Sequence, residues 1–159
     1  MGNLFRNTLL SSVTLFSLAS MPSWGQSLRT DTLKCEYRSN PLGIDETHPR
    51  FSWTLLSKER GAVQGGYQVL VSSDADHLSR QKGDLWDTGK VGSDQSIQVE
   101  YRGKSLVSRQ RAYWKVRVWD KSGKASGWSK PQWFEMGLLH KQDWKGQWIS
   151  TPEEGAPQA

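Results

Sequence analysis

Three histidines, one cysteine and sixteen carboxylates are the residues of this 159-residue chain that could do chemistry, and their spacing argues against most of it. His48, His77 and His140 lie far apart, and none has a second His or Cys at the spacing a zinc site needs. Asp74 and Asp76 resemble the start of a calcium loop. The glycine at the sixth position and the closing glutamate are missing, so the pair reads as a turn. Cys35 has no obvious activating base, Gly-x-Ser-x-Gly is absent, and no Gly-rich phosphate loop has the right spacing. Glycoside hydrolysis would need two carboxylates flanking a cleft, one with its pKa raised by burial. Asp45, Glu46, Asp84, Asp87 and Asp120 instead fall at turns and strand ends, where Asp commonly caps backbone N–H groups. The sequence therefore predicts no catalytic residue, no metal ligand and no cofactor site.

The pattern that stands out is a mixture of cations and indoles. Lys115, Arg117 and Trp119 share one face of an alternating run, and Trp128 precedes the next run. Indole and cationic side chains can interleave across adjacent strands, each exposed contact contributing about 0.5–1 kcal/mol. Two readings follow. The four residues could form a flat platform on which a pyranose stacks. The favoured alternative is a cation–π ladder that covers one sheet, or a face that docks on another domain.

These residues must be positioned by strands, because alternation dominates and helical periodicity is almost absent. Phe51, Trp53 and Leu55 fall on one face of Arg50–Leu56, and Tyr67, Val69 and Val71 do so in Tyr67–Ser73, with Leu70 partly covering the other side. Ile97, Val99 and Tyr101 align in Ser96–Tyr101. Trp114, Val116 and Val118 alternate with Lys115, Arg117 and Trp119 in Ala112–Asp120, and Phe134 and Met136 oppose Trp133 in Gln132–Met136. Weaker runs at Thr32–Tyr37 and Asp84–Thr88 complete a set of seven. Asn40-Pro41-Leu42-Gly43, His48-Pro49, Gly65-Gly66 and Lys121-Ser122-Gly123 are among the turns between them. Ala75–Lys82 is the one candidate helical turn. The expected fold class is all-β: a seven-stranded antiparallel β-sandwich of fibronectin type III or immunoglobulin-like type. The single cysteine favours the former, since no pair exists for an inter-sheet bridge.

Residues 1–25 have the layout of a secretory signal peptide: Arg6, an apolar stretch from Leu9 to Ala19, then small residues before a cut after Gly25 or after Ala19. The chain is thus expected to be exported, to the periplasm or outside the cell. Lys34 immediately before Cys35 argues against lipid attachment, so no membrane association is expected after cleavage. The formal charge of +5 is scattered among carboxylates with no basic run, which points away from nucleic acid. Nine Trp, four Tyr and four Phe compensate for a hydrophobic content of 35%. Burying one such side chain contributes about 1.5–3 kcal/mol, so a few indoles replace many aliphatics.

Seven phrases occur in an order that resembles a known family. They are Asn40-Pro41-Leu42-Gly43-Ile44-Asp45, Pro49-Arg50-Phe51-Ser52-Trp53, Tyr67-Gln68-Val69-Leu70-Val71, and Gly83-Asp84-Leu85-Trp86-Asp87-Thr88-Gly89-Lys90-Val91. Tyr113-Trp114-Lys115-Val116-Arg117-Val118-Trp119-Asp120, Phe134-Glu135-Met136-Gly137-Leu138-Leu139, and Asp143-Trp144 with Trp148-Ile149 complete the series. Together, over residues 30–150, they resemble the N-terminal module of bacterial α-L-rhamnosidases of glycoside hydrolase family 78. The resemblance implies a fibronectin type III-like first domain at 30–138 and, at 139–150, the start of a second β-domain that is cut short. In the family an (α/α)₆ barrel further on carries the catalytic carboxylates, and terminal α-L-rhamnose is released from glycosides with inversion. No position here corresponds to the family's catalytic acid or base. Residues 151–159 read as a disordered tail. The expected function is a non-catalytic accessory module whose partners are the downstream domains of a rhamnosidase-like parent, and with them rhamnose-containing plant glycans. The alternative is a standalone carbohydrate-binding or adhesion module.

Overall fold

Alternating apolar side chains can be buried on one face only if two sheets close on each other, and this is the arrangement found. The computed structural model describes residues 28–147 and 149. The proposed signal peptide and the expected tail lie outside the described residues. Strands β1 (Arg29–Cys35), β2 (Arg50–Leu56) and β5 (Val99–Glu100) form a three-stranded sheet in the order β1-β2-β5. Strands β3 (Gln64–Ser72), β4 (Trp86–Asp87), β6 (Arg111–Asp120) and β7 (Gln132–Glu135) form a four-stranded sheet in the order β4-β3-β6-β7. All pairings between these strands are antiparallel. The helical turn α1 (Ala75–Ser79) follows β3, and a 3₁₀ turn spans Lys141–Asp143.

The core between the sheets is aromatic. Phe51 of β2 meets Trp114 of β6 at a centroid distance of 4.4 Å and Phe134 of β7 at 5.8 Å. Val69, Val71, Val116 and Val118 fill the four-stranded side, and all four are fully buried. Cys35 points inward, as its alternation predicts. Leu70 faces the other way, yet it too is buried, because Leu78 of α1 folds over the outer surface of β3. Asp74 starts that turn by accepting the amide N–H groups of Asp76 and His77.

Two expectations are corrected by backbone geometry. The run Ser96–Tyr101 is a strand only at Val99–Glu100, and Ile97 is 65% exposed where alternation would bury it. The cause is Gln98, which adopts φ = +53° and interrupts the period, while Trp53 N–H bonds instead to the carbonyl of Ser96. Likewise Glu36 and Tyr37 have positive φ, so β1 ends at Cys35 and Tyr37 is turned out to solvent. After this turn the chain crosses to the other sheet. There Glu135 N–H donates to Pro41 O, Ile44 N–H donates to Glu135 O, and Gly137 N–H donates to Ile44 O. The Asn40–Gly43 phrase is what permits the crossing: Asn40 (φ = +49°) accepts Trp133 N–H, and Gly43 sits at φ = +70°.

Candidate functional site

β6 positions the four residues singled out by the sequence. Its even-numbered Trp114, Val116 and Val118 enter the core, which directs Lys115, Arg117 and Trp119 to the outer face. Trp128 reaches the same face from an extended segment beside β6. Ser126 and Ser129 donate their N–H groups to the carbonyls of Val118 and Val116 at 2.8 Å. Their hydroxyls in turn accept Val118 N–H and Val116 N–H at 3.0 and 3.1 Å. Two serine side chains thus replace the strand carbonyls that β6 would otherwise pair with, and Trp128 is held between them.

The result is an alternating stack. Lys90 Nζ lies 5.1 Å from the Trp119 ring centroid, and Arg117 Cζ lies 4.8 Å from Trp119 and 4.6 Å from Trp128. Lys115 Nζ lies 5.0 Å from Trp128. Further polar contacts anchor the cations. Arg117 donates through Nε and Nη2 to Gln68 Oε1, at 3.0 and 2.7 Å, and Gln68 donates to Asp87 Oδ1 at 2.7 Å. Lys115 donates to the carbonyl of Leu78 at 2.6 Å, which ties β6 to α1. Burial holds the Lys115 ammonium below its ordinary pKa, and the charge of Arg117 adds to this. Trp119 is 9% exposed and carries two cations, so little of its ring is open to a sugar.

A second contact of this kind was not read from the sequence. Arg111 stacks on Trp133 at 4.5 Å and bonds to Glu135 at 2.8 Å. Its signal was present, since Arg111 continues the odd-numbered register of Tyr113, Lys115 and Arg117, and Trp133 opposes Phe134. Lys90 and Gln68 carried no such signal, because only the pairing of β3 with β6 and the loop after β4 bring them to Trp119 and Arg117.

The other candidate groups stay apart. His48 lies in the loop before β2 beside Thr47, His77 belongs to α1 with Nδ1 3.7 Å from Asp84, and His140 precedes the 3₁₀ turn. No group of three His, Cys, Asp or Glu among the described residues could hold a metal ion. Asp84 accepts the N–H and hydroxyl of Ser73. Burial tends to raise its pKa, but those hydrogen bonds outweigh burial and hold it below the usual range. Asp120 closes its turn by accepting Ser122 Oγ–H and Lys124 N–H, and Asp87 accepts Gly89 N–H besides Gln68. Asp143 accepts the Ser108 hydroxyl and His140 N–H, and Ser108 accepts Leu139 N–H, which fastens the segment after β7 to the loop before β6. These carboxylates organise turns, and Asp87 also lines a cleft that Glu100 shares.

The family model for the Rha78A-like, N-terminal immunoglobulin domain matches residues 30–140. The chain belongs to that family. The α-L-rhamnosidase of Streptomyces avermitilis is 48% identical over 126 residues, which are 79% of this chain and 12% of the relative. An α-L-rhamnosidase of Formosa agariphila is 40% identical over 154 residues, covering 96% of this chain and 16% of the relative. The crystal structure of the Streptomyces avermitilis enzyme complexed with L-rhamnose superposes with a TM-score of 0.75 over 79% of this chain and 12% of that one. The α-L-rhamnosidase structure from Dictyoglumus thermophilum gives a TM-score of 0.75 at 40% identity, covering 81% of this chain and 15% of that one. The chain therefore spans a small part of the relatives it matches, and the Rha78A-like domain occurs in them as one portion of a larger chain.

Proposed function

We propose that this chain serves as the non-catalytic N-terminal accessory module of an α-L-rhamnosidase, a scaffold that packs against later domains and helps to shape or stabilise the enzyme. The observation that carries the reading is the match of residues 30–140 to an N-terminal immunoglobulin domain family, found in rhamnosidases of which the chain covers 12–16%. Asp84, Asp120 and Asp143 are spent on hydrogen bonds that organise turns, which supports a non-catalytic role. In a full-length parent, the activity would be release of terminal α-L-rhamnose, with inversion, from rhamnose-containing glycans. Residues 1–25 would direct export to the periplasm or outside the cell, and residues 139–150 would lead into a second β-domain. The five-residue cation–indole stack acts in this reading as a covering for the outer face of β3 and β6.

The purified chain, assayed on an aryl α-L-rhamnoside, is expected to show no turnover above buffer. Specific turnover would overturn the proposal. Fusing residues 1–159 in place of the matching segment of the Streptomyces avermitilis enzyme is expected to restore the stability lost when that segment is deleted. Failure to restore it would argue against the scaffold role and for a standalone module.

A further inference from the structure

The two sheets part where their free edges, β4 and β5, face each other. A cleft of about 580 Å³ opens there, inside the range of about 300–1,000 Å³ that small-molecule sites occupy. Trp86 forms one wall. Its indole is anchored from behind, edge-on to Tyr101 at 5.3 Å and stacked with Phe51 at 6.3 Å, and it remains half-buried on the cleft side. Across from it stand Val99 and Glu100 of β5; from the same sheet as Trp86, Tyr67 of β3 also lines the cleft. Its backbone is pinned by paired hydrogen bonds with Val91, at 2.9 and 2.8 Å, and its ring packs edge-on against Trp53.

Tyr67 is 7% exposed as a residue, and its hydroxyl, which is not among the buried polar atoms left without a partner, opens to the solvent of the cleft. Arg102 also lines the cleft, and its charge opposes the rise that burial imposes on the Tyr67 phenol, which places the guanidinium in electrostatic reach of that oxygen. Arg102 is itself paired with Glu100 at 3.1 Å, and Asp87, which also lines the cleft and accepts from Gln68 and Gly89, adds a second carboxylate. Gln95, also on the rim, spends its amide N–H groups on the carbonyls of Ile97 and Gln98, which leaves Oε1 as an acceptor.

An indole wall, a spare phenol hydroxyl, a spare amide oxygen and a neutralised guanidinium suit a ring with apolar C–H faces and hydroxyls at its edge. They do not suit a phosphate, which Asp87 and Glu100 would oppose. We infer that the cleft between β4 and β5 is a binding site for a neutral saccharide, with Trp86 as the stacking wall and Tyr67, Gln95 and Arg102 bonding its hydroxyls. The site is separate from the cation–indole stack on the outer face. The choice of a sugar within the class of neutral polyols rests on reading the chain as a module of a glycoside hydrolase.

The test is a titration of the full chain with L-rhamnose, with an α-L-rhamnosyl disaccharide and with cellobiose, followed by two-dimensional ¹H–¹⁵N NMR. Saturable shifts of the Trp86 indole N–H and of the Val91 and Gln95 amides are expected for at least one of the three. Tyr67→Phe, which removes only the unpartnered hydroxyl, is expected to keep the thermal midpoint and weaken binding roughly three- to tenfold, the worth of one hydrogen bond. Arg102→Ala, at an exposed position, is expected to weaken it by at least as much. Absence of saturable shifts at tens of millimolar sugar would overturn the site, as would shifts unchanged in both variants. Neither result touches the module proposal, which turns on rhamnoside turnover and on the fusion.

Discussion

The indole N–H of Trp53 on β2 donates to Oε1 of Gln64 on β3 at 3.0 Å, and this bond between two buried side chains crosses from one sheet to the other. Gln64 is 1% exposed and fully used. Its amide nitrogen donates to the carbonyls of Ser93 and Gln95 at 3.0 and 2.8 Å, which holds the loop between β4 and β5 against the core. Replacing Gln64 with Leu keeps the volume but strands an indole N–H and two carbonyls. Each buried group left without a partner costs about 1–3 kcal/mol, less where water can enter. Gln64→Leu is therefore expected to lose roughly 3 kcal/mol or more in urea unfolding, three stranded groups at about 1 kcal/mol or more each. A loss below about 0.5 kcal/mol would show that the network contributes nothing net.

The cation–indole stack predicts a coupling rather than a sum. In a double-mutant cycle, Arg117→Ala and Trp128→Ala are expected to show an interaction energy of about 0.5–1 kcal/mol. Arg117→Lys keeps the charge but loses the fork that grips Gln68, so it is expected to be less stable than the parent. Trp119→Ala and Trp128→Ala are expected to lower the thermal midpoint without changing retention on sugar affinity gels. Loss of retention with an unchanged midpoint would restore the platform reading.

Acid stability should depend on Glu36. Its carboxylate accepts the Arg50 backbone N–H at 2.6 Å and the guanidinium at 3.1 and 2.8 Å. The side-chain bond from Arg50 is the main reason its pKa is held below the ordinary 4.5 in the folded chain. A carboxyl with a depressed folded pKa contributes stability in full above its unfolded value, and loses it as the pH falls through the folded one. The stability gap between the parent and Glu36→Gln is thus expected to be largest near neutral pH and to shrink below 4.5. A gap that stays constant through acid unfolding would contradict the assignment.

Cys35 should be inert in the native state. It is 1% exposed, and burial, with the neighbouring charge of Glu36, pushes its thiol well above the usual range. A disulfide reagent added to the native chain is expected to give no signal, and the same reagent in urea one equivalent of thiol. Rapid labelling of the native chain would place Cys35 outside the core.

Much of the fold was legible because a strand's side-chain period is local. Alternation alone placed Trp114, Val116 and Val118 inside and Lys115, Arg117 and Trp119 outside, and it turned Cys35 inward. It failed at Ile97, where the left-handed Gln98 breaks the period, a backbone choice that glutamine's side chain does not announce. It also left Tyr37 within a strand, where two successive positive-φ residues turn it out.

Residue types and their spacing, then, determined the class of fold and the inner face of each long strand. Only the tertiary structure decided that Leu70 and Lys115 are covered by α1, that Lys90 caps Trp119, and that Tyr67 and Trp86 border a cleft with a hydroxyl to spare. The division has one physical reason. A side chain's face follows from its own strand, whereas its partners are set by which distant strands pair and which loop closes over them.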